Sequence, residues 1–198
     1  MKISSYFVSI GLSIATILSL SSCTEQNKNT VSNTTTMRTV HVEANRVVYK
    51  NFPDLKKSSD FVGIVQPIED FQTRKHENNY MPDGSLSDFH TRTVVRVIKV
   101  FKGDVLPNTT MEIIEPISII KSGGEDIKIA IDDYSELPLD KPSLVFLQKN
   151  TYGQLGVGNA QNSVFPTKKD LKVNINSKND PDREEIYKGI TTEKMLEE

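Results

Sequence analysis

Short stretches of alternating or continuously apolar residues, separated by turn-forming residues, run through the chain from Val40 onward and predict strands rather than long helices. The strongest is in "TRTVVRVIKVFKGDV", where Val95, Val97 and Lys99 alternate with Val94, Arg96, Ile98 and Val100 and the β-branched residues suit a pleated surface. Lys102, Gly103 and Asp104 supply the turn chemistry that ends it. Before it, Phe61, Val62, Ile64 and Val65 fill a buried strand over 60–68 that starts at Asp60. Further strands are expected over 110–115, 117–121, 127–131, 143–149 and 155–157, with a last one near 171–175. Gly123 and Gly124 accept the positive φ of a tight turn and join the strands over 117–121 and 127–131 as a hairpin. Helix is confined to a turn over 53–57 and to the C-terminal segment. There Asp180 fits an N-cap and Pro181 the first helical position, and one or two short helices broken at Gly189 are expected.

The first 23 residues depart from this pattern. Lys2 is followed by an uncharged, mainly apolar run over 6–20 that gives way to small residues, the layout of a secretory signal peptide. At 15 residues, interrupted by serines and a threonine, it falls short of the about 20 that a spanning helix needs. The run leads directly to Cys23, the sole cysteine of the chain. Leu20, Ser21, Ser22 and Cys23 resemble the lipobox of bacterial lipoproteins: an aliphatic residue, two small ones and an obligatory cysteine. The resemblance implies that the Cys23 sulfur receives a diacylglyceryl group and that cleavage before it makes Cys23 the mature N-terminus. Two acyl chains of the palmitate type hold a protein on a bilayer firmly, where one is marginal. A lone cysteine forms no intrachain disulfide, so the exported domain must rest on its core.

The expected organisation is a signal peptide over 1–22, a lipidated Cys23 with a polar Thr- and Asn-rich tether to 38, a β-barrel domain over 39–177 and a helical segment over 178–198. The expected location is the extracytoplasmic face of the cell membrane. With 198 residues, 36% hydrophobic and 25% charged, one domain is the default. The 24 basic and 26 acidic residues are spread along the chain, which offers no broad cationic face to a nucleic acid.

The succession "SDFVGIVQPIED", a polar loop, "TRTVVRVIKVFKGDVLPNTTMEIIEP" and "LPLDKPSLVFLQKNTYGQLGVGNAQNSVFP" resembles a recurrent type of exported bacterial domain. That layout is similar to the small OB-type Greek-key barrel found in tissue inhibitors of metalloproteinases. The implied fold is mainly β, with short helical turns and a C-terminal helix. The inhibitors chelate zinc through a free N-terminal cysteine braced by disulfides. Here the corresponding cysteine would be acylated and has no partner, so that mechanism does not carry over.

No residue pattern points to catalysis, a cofactor or a metal. His76 and His90 flank the polar stretch "HENNYMPDGSLSDFH", but their spacing fits neither a zinc nor a calcium motif, and a solvated loop with a turn at Pro82, Asp83 and Gly84 accounts for it. Glu125, Asp126, Asp132, Asp133 and Glu136 surround a strand whose isoleucines share one face, which makes the acids its solvated ends. The closely spaced glycines of "GQLGVGNAQ" lack the full dinucleotide fingerprint. What remains is interaction, with a small ligand or a cell-envelope protein. The candidate residues are Tyr80, Met81 and Phe89 in the 69–90 loop and Tyr152 and Asn159 in the 152–162 segment. An inhibitor or regulator of an envelope protease is a second expectation, and a metal-dependent or hydrolytic enzyme a third.

Overall fold

Two strands carry apolar side chains on both faces, and the architecture follows from where those faces go. In β2 (Phe61–Pro67) Phe61 and Val65 point one way and Val62 and Ile64 the other, all buried; in β8 (Ser143–Lys149) Val145 and Leu147 oppose Leu144 and Phe146 in the same manner. β2 and β8 pair antiparallel, Phe61 opposite Leu147. Together they form a wall between a barrel interior and an outer layer of helix. The computed structural model describes residues 37–167 and 180–196, all within one unit, Thr36–Glu198. Cys23, most of the predicted tether and the predicted strand near 171–175 lie outside the described residues.

The inner faces close a five-stranded ring. β2 pairs antiparallel with β4 (Leu86–Lys102), β4 with β5 (Thr110–Glu115), β5 runs parallel to β9 (Leu155–Val157) at Ile114 and Gly156, and β9 returns antiparallel to β8. In the ring's own chain order the spatial sequence is first, second, third, fifth, fourth and back to the first. This is a small OB-like Greek-key barrel, mainly β, with a C-terminal helix. Val95, Val97, Ile113, Val145 and Leu147 are among the side chains that fill it. Register shifts beside Gly63 and between Ile64 and Val65 leave extra residues on β4, and such bulges coil a strand tightly enough to turn a barrel corner.

Between β5 and β8 the chain inserts a second, three-stranded sheet. β6 (Ile117–Ser122) and β7 (Glu125–Ile131) form the expected hairpin, with Gly123 at φ +61° and Gly124 at φ +88°. β1 (Thr39–Val42) lies parallel to β7 on its far side. A short β10 (Val164–Pro166) extends the main sheet beside β8.

The outer layer is α1 (Phe52–Ser58) and α2 (Pro181–Thr192), which pack with Val62, Ile64, Leu144, Phe146 and Phe165 in a second apolar cluster. Asn51 caps α1 by accepting from Asp54 N at 2.9 Å; Asp180 caps α2 by accepting from Asp182 N and Arg183 N. The expected break at Gly189 does not occur, and α2 runs through it. A Cβ there would lie 2.4 Å from Phe52 Cβ and Cγ, so this glycine serves close helix packing rather than helix termination. Gly189→Ala should therefore destabilise by about 1–3 kcal/mol of overpacking, although alanine alone favours helix by about 1 kcal/mol; a higher melting temperature in the variant would contradict this.

Candidate functional site

The polar stretch over 76–90, expected as a solvated loop, is instead a β-hairpin. β3 (Lys75–Tyr80) pairs antiparallel with the first residues of β4, from Lys75 opposite Arg92 to Tyr80 opposite Leu86. The turn between them is the expected one: Asp83 Oδ1 accepts from Ser85 N at 2.9 Å and Gly84 takes φ +84°. The hairpin arises because β4 is 17 residues long and overruns the barrel, so its N-terminal part has only β3 to pair with. Tyr80 and Met81 stand exposed at the hairpin's end.

Adjacent residues of this ribbon face opposite ways, which separates the two histidines. His76 turns toward the small sheet: Nε2–H donates to Phe71 O at 3.0 Å, and Nδ1 accepts from Ile119 N at 3.3 Å with Thr91 Oγ1 at 2.9 Å. His90 faces the other side, its Nε2 3.0 Å from Glu77 Oε2. Glu77 also takes Lys75 and Arg92, and the Lys75 hydrogen bond is the main reason its carboxyl sits below the usual range. Among the described residues no group of three or more histidine, cysteine or carboxylate side chains is placed to hold a metal.

Burial holds the His76 pKa below the ordinary 6.5, so the folded state binds fewer protons than the unfolded chain just below that pH. Its contribution is complete above about pH 6.5 and is lost as pH falls through the folded-state value. Between pH 7 and pH 5 the wild-type melting temperature should fall, and His76→Gln should flatten the profile. Parallel profiles for the two proteins would contradict this assignment.

Beneath the hairpin the barrel holds a buried ion pair, Arg74 Nη1 to Glu115 Oε1 at 2.8 Å, with both side chains at 1% exposure or less. Every oxygen of Glu115 is used. Thr93 Oγ1 donates to Oε1, while Tyr134 OH and Leu137 N donate to Oε2 at 2.7 and 2.8 Å. Arg74 also donates to Leu137 O and Glu69 O. Burial, reinforced by the neighbouring carboxylate, pushes the Tyr134 hydroxyl well above its usual range, so it remains a donor. This network ties the 69–74 and 134–137 segments to the end of β5.

The next residue after Glu115 lines the candidate site. An open cleft of about 700 Å³ lies between the β3–β4 hairpin, the small sheet and the β8–β9 turn. Leu86 to His90 form one side, Val42, Ile129 and Ile131 another, with Ile114 and Pro116 from the end of β5 and Asn150 to Tyr152 and Gln154 from the turn. The turn is pre-shaped: Asn150 Oδ1 accepts from Tyr152 N and Gln154 N, each at 2.9 Å, and Gly153 takes φ +78°. A smaller hollow over Ile114, Pro116, Gln148 and Gly156 adjoins it. In size and in its apolar lining with a few polar groups the cleft matches the usual character of ligand sites. Its position, over the second and third barrel strands between the first-to-second and fourth-to-fifth connections, is where OB barrels take ligands.

Of the expected interaction residues, Phe89 and Tyr152 meet at this cleft; Tyr80 and Met81 lie outside its lining. Asn159 is a structural residue. It is buried, its Oδ1 accepts from Tyr49 N and Arg46, and its Nδ2 donates to Tyr49 O, fastening the segment before α1. Ile114, Pro116, His90, Ile129 and Ile131 were not among the expected residues. Ile114 carries a readable signal, since it is apolar on the face of β5 opposite buried Ile113. The chain matches no known family model, and no significantly similar protein is found among curated proteins or solved structures.

Proposed function

We propose that the chain is an extracytoplasmic, lipid-anchored binding module whose cleft takes a largely uncharged ligand. The observation that carries the binding role is the cleft itself, apolar, pre-shaped and located at the ligand position of an OB barrel. Among the described residues no lysine or arginine lines it, and Asp88 is its one carboxylate, which disfavours polyanions such as nucleic acids. The anchor rests on the lipobox-like Leu20, Ser21, Ser22 and Cys23. No helix among the described residues is long and apolar enough to cross a membrane.

The binding role is tested by titrating the full chain, carrying ¹³C-labelled isoleucine methyls, with a pool of neutral drug-sized compounds and oligosaccharides. Ile114, Ile129 and Ile131 should shift while Ile186 and Ile190, on the buried face of α2, stay fixed. Ile114→Arg, checked for an unchanged melt, should remove the response. Unmoved cleft methyls throughout the pool would contradict the proposal.

A further inference from the structure

Five consecutive residues of β4, Leu86 to His90, line the cleft. A strand that presents one face to a cavity contributes alternate residues, because successive side chains point to opposite faces. An unbroken run of five means that the cavity lies along the strand's edge.

The pairing explains why that edge is bare. On one side these residues pair with β3, whereas on the other the β5 ladder begins only at Thr91, opposite Glu115. Pro116 follows at once and has no N–H to continue a ladder, and β6 pairs with β7 instead, touching β4 through the Thr91 Oγ1 hydrogen bond to Ile117 O. Among the described residues no strand is hydrogen-bonded to the backbone of Leu86 to His90 on the cleft side. Such an edge presents unpaired backbone groups to a ready-made slot, with the side chains of Ile129 and Ile131 across it.

We infer that the cleft binds an extended peptide segment of a partner protein, added as a strand to the β4 edge. This rests on the binding role proposed above and specifies the ligand. Backbone hydrogen bonds to the edge would supply affinity, and alternate peptide side chains would fill the apolar lining. Charge complementarity sets the sequence preference. With Asp88 the sole carboxylate of the lining and no lysine or arginine there, the segment is apolar and uncharged apart from one Lys or Arg opposite Asp88. Asp88 is 60% exposed and its contacts are long and all through Oδ2, which accepts from Asn79 Nδ2 at 3.4 Å and lies 3.6 Å from His90 Nδ1, so Oδ1 remains for that cation. An oligosaccharide fits the apolar lining but makes no use of a bare strand edge.

The test selects a display library of random ten-residue peptides on the full chain, with Ile114→Arg as the counter-selection. Enriched peptides should alternate apolar residues and carry a Lys or Arg, and bind the wild type at least tenfold more tightly than Ile114→Arg. Asp88→Asn should weaken binding severalfold and reduce its salt dependence. The decisive probe is the best peptide N-methylated at alternate amides. One of the two methylation registers should lose binding at least tenfold while the other retains it. Equal binding of both registers, or no enrichment over Ile114→Arg, overturns the strand-addition inference. If peptides fail while the isoleucine methyls still respond to oligosaccharides or neutral compounds, the cleft reading stands and the peptide assignment falls; if neither responds, both fall.

Discussion

Glu115→Ala should destabilise the protein by about 3–5 kcal/mol, the cost of leaving a buried cation without its partner. Arg74 is then enclosed with no counter-charge, and Tyr134 OH, Thr93 Oγ1 and Leu137 N lose their shared acceptor. At about 2–4 °C per kcal/mol for a chain of this size, the melting temperature should drop by about 6–20 °C. The double variant Arg74→Met with Glu115→Leu should recover much of the loss, since an apolar pair of similar volume removes the stranded charge. A single-variant loss under 1 kcal/mol would show that solvent reaches Arg74, contrary to its burial.

The second large effect belongs to the outer layer. Phe146, fully buried on β8, makes edge-on contacts with Phe52 of α1, ring centroids 6.1 Å apart, and with Phe165 of β10 at 6.3 Å; Phe165 in turn stacks with Tyr187 of α2. Phe146→Ala removes the ring through which both helices hold the barrel wall, and a loss of about 3–5 kcal/mol is expected. Because the barrel interior is a separate cluster, α2 should become susceptible to protease before the strands do. Simultaneous loss of both elements would argue that the two clusters melt as one.

The barrel strands were legible because burial wrote them into the sequence. β2 and β8 are continuous apolar runs since both their faces are covered, and β4 alternates where one face meets the interior. β3 was not legible. "KHENNY" has no apolar period, and it becomes a strand only because β4 offers it an edge. Gly189 was misread for a related reason: a glycine in a helical segment suggests an end, but here it makes room for Phe52, a residue 137 positions earlier. The cleft was half visible. Phe89 and Tyr152 stood out as aromatics in polar stretches, whereas Ile129 and Ile131 looked like ordinary core, and only the pairing of β5 with β9 at Ile114 and Gly156 brings the turn that carries Tyr152 to the end of β5. The Arg74 and Glu115 pair carried one signal that local reading passes over: Glu115 shares the inward face of β5 with Ile113, so a carboxylate there requires a buried cation.

The proposed role is that of an anchored barrel that binds, through its cleft, a component outside the cytoplasm. Its most direct test is a benzophenone side chain placed at position 89 in the full chain in intact bacteria, with position 106 as a control, since Leu106 is 71% exposed and lies outside the cleft lining. Irradiation should give a discrete adduct in the membrane fraction from position 89 only, lost in Ile114→Arg and released from the membrane fraction in Cys23→Ala. The same adduct from position 106, or one indifferent to Ile114→Arg, would contradict that role.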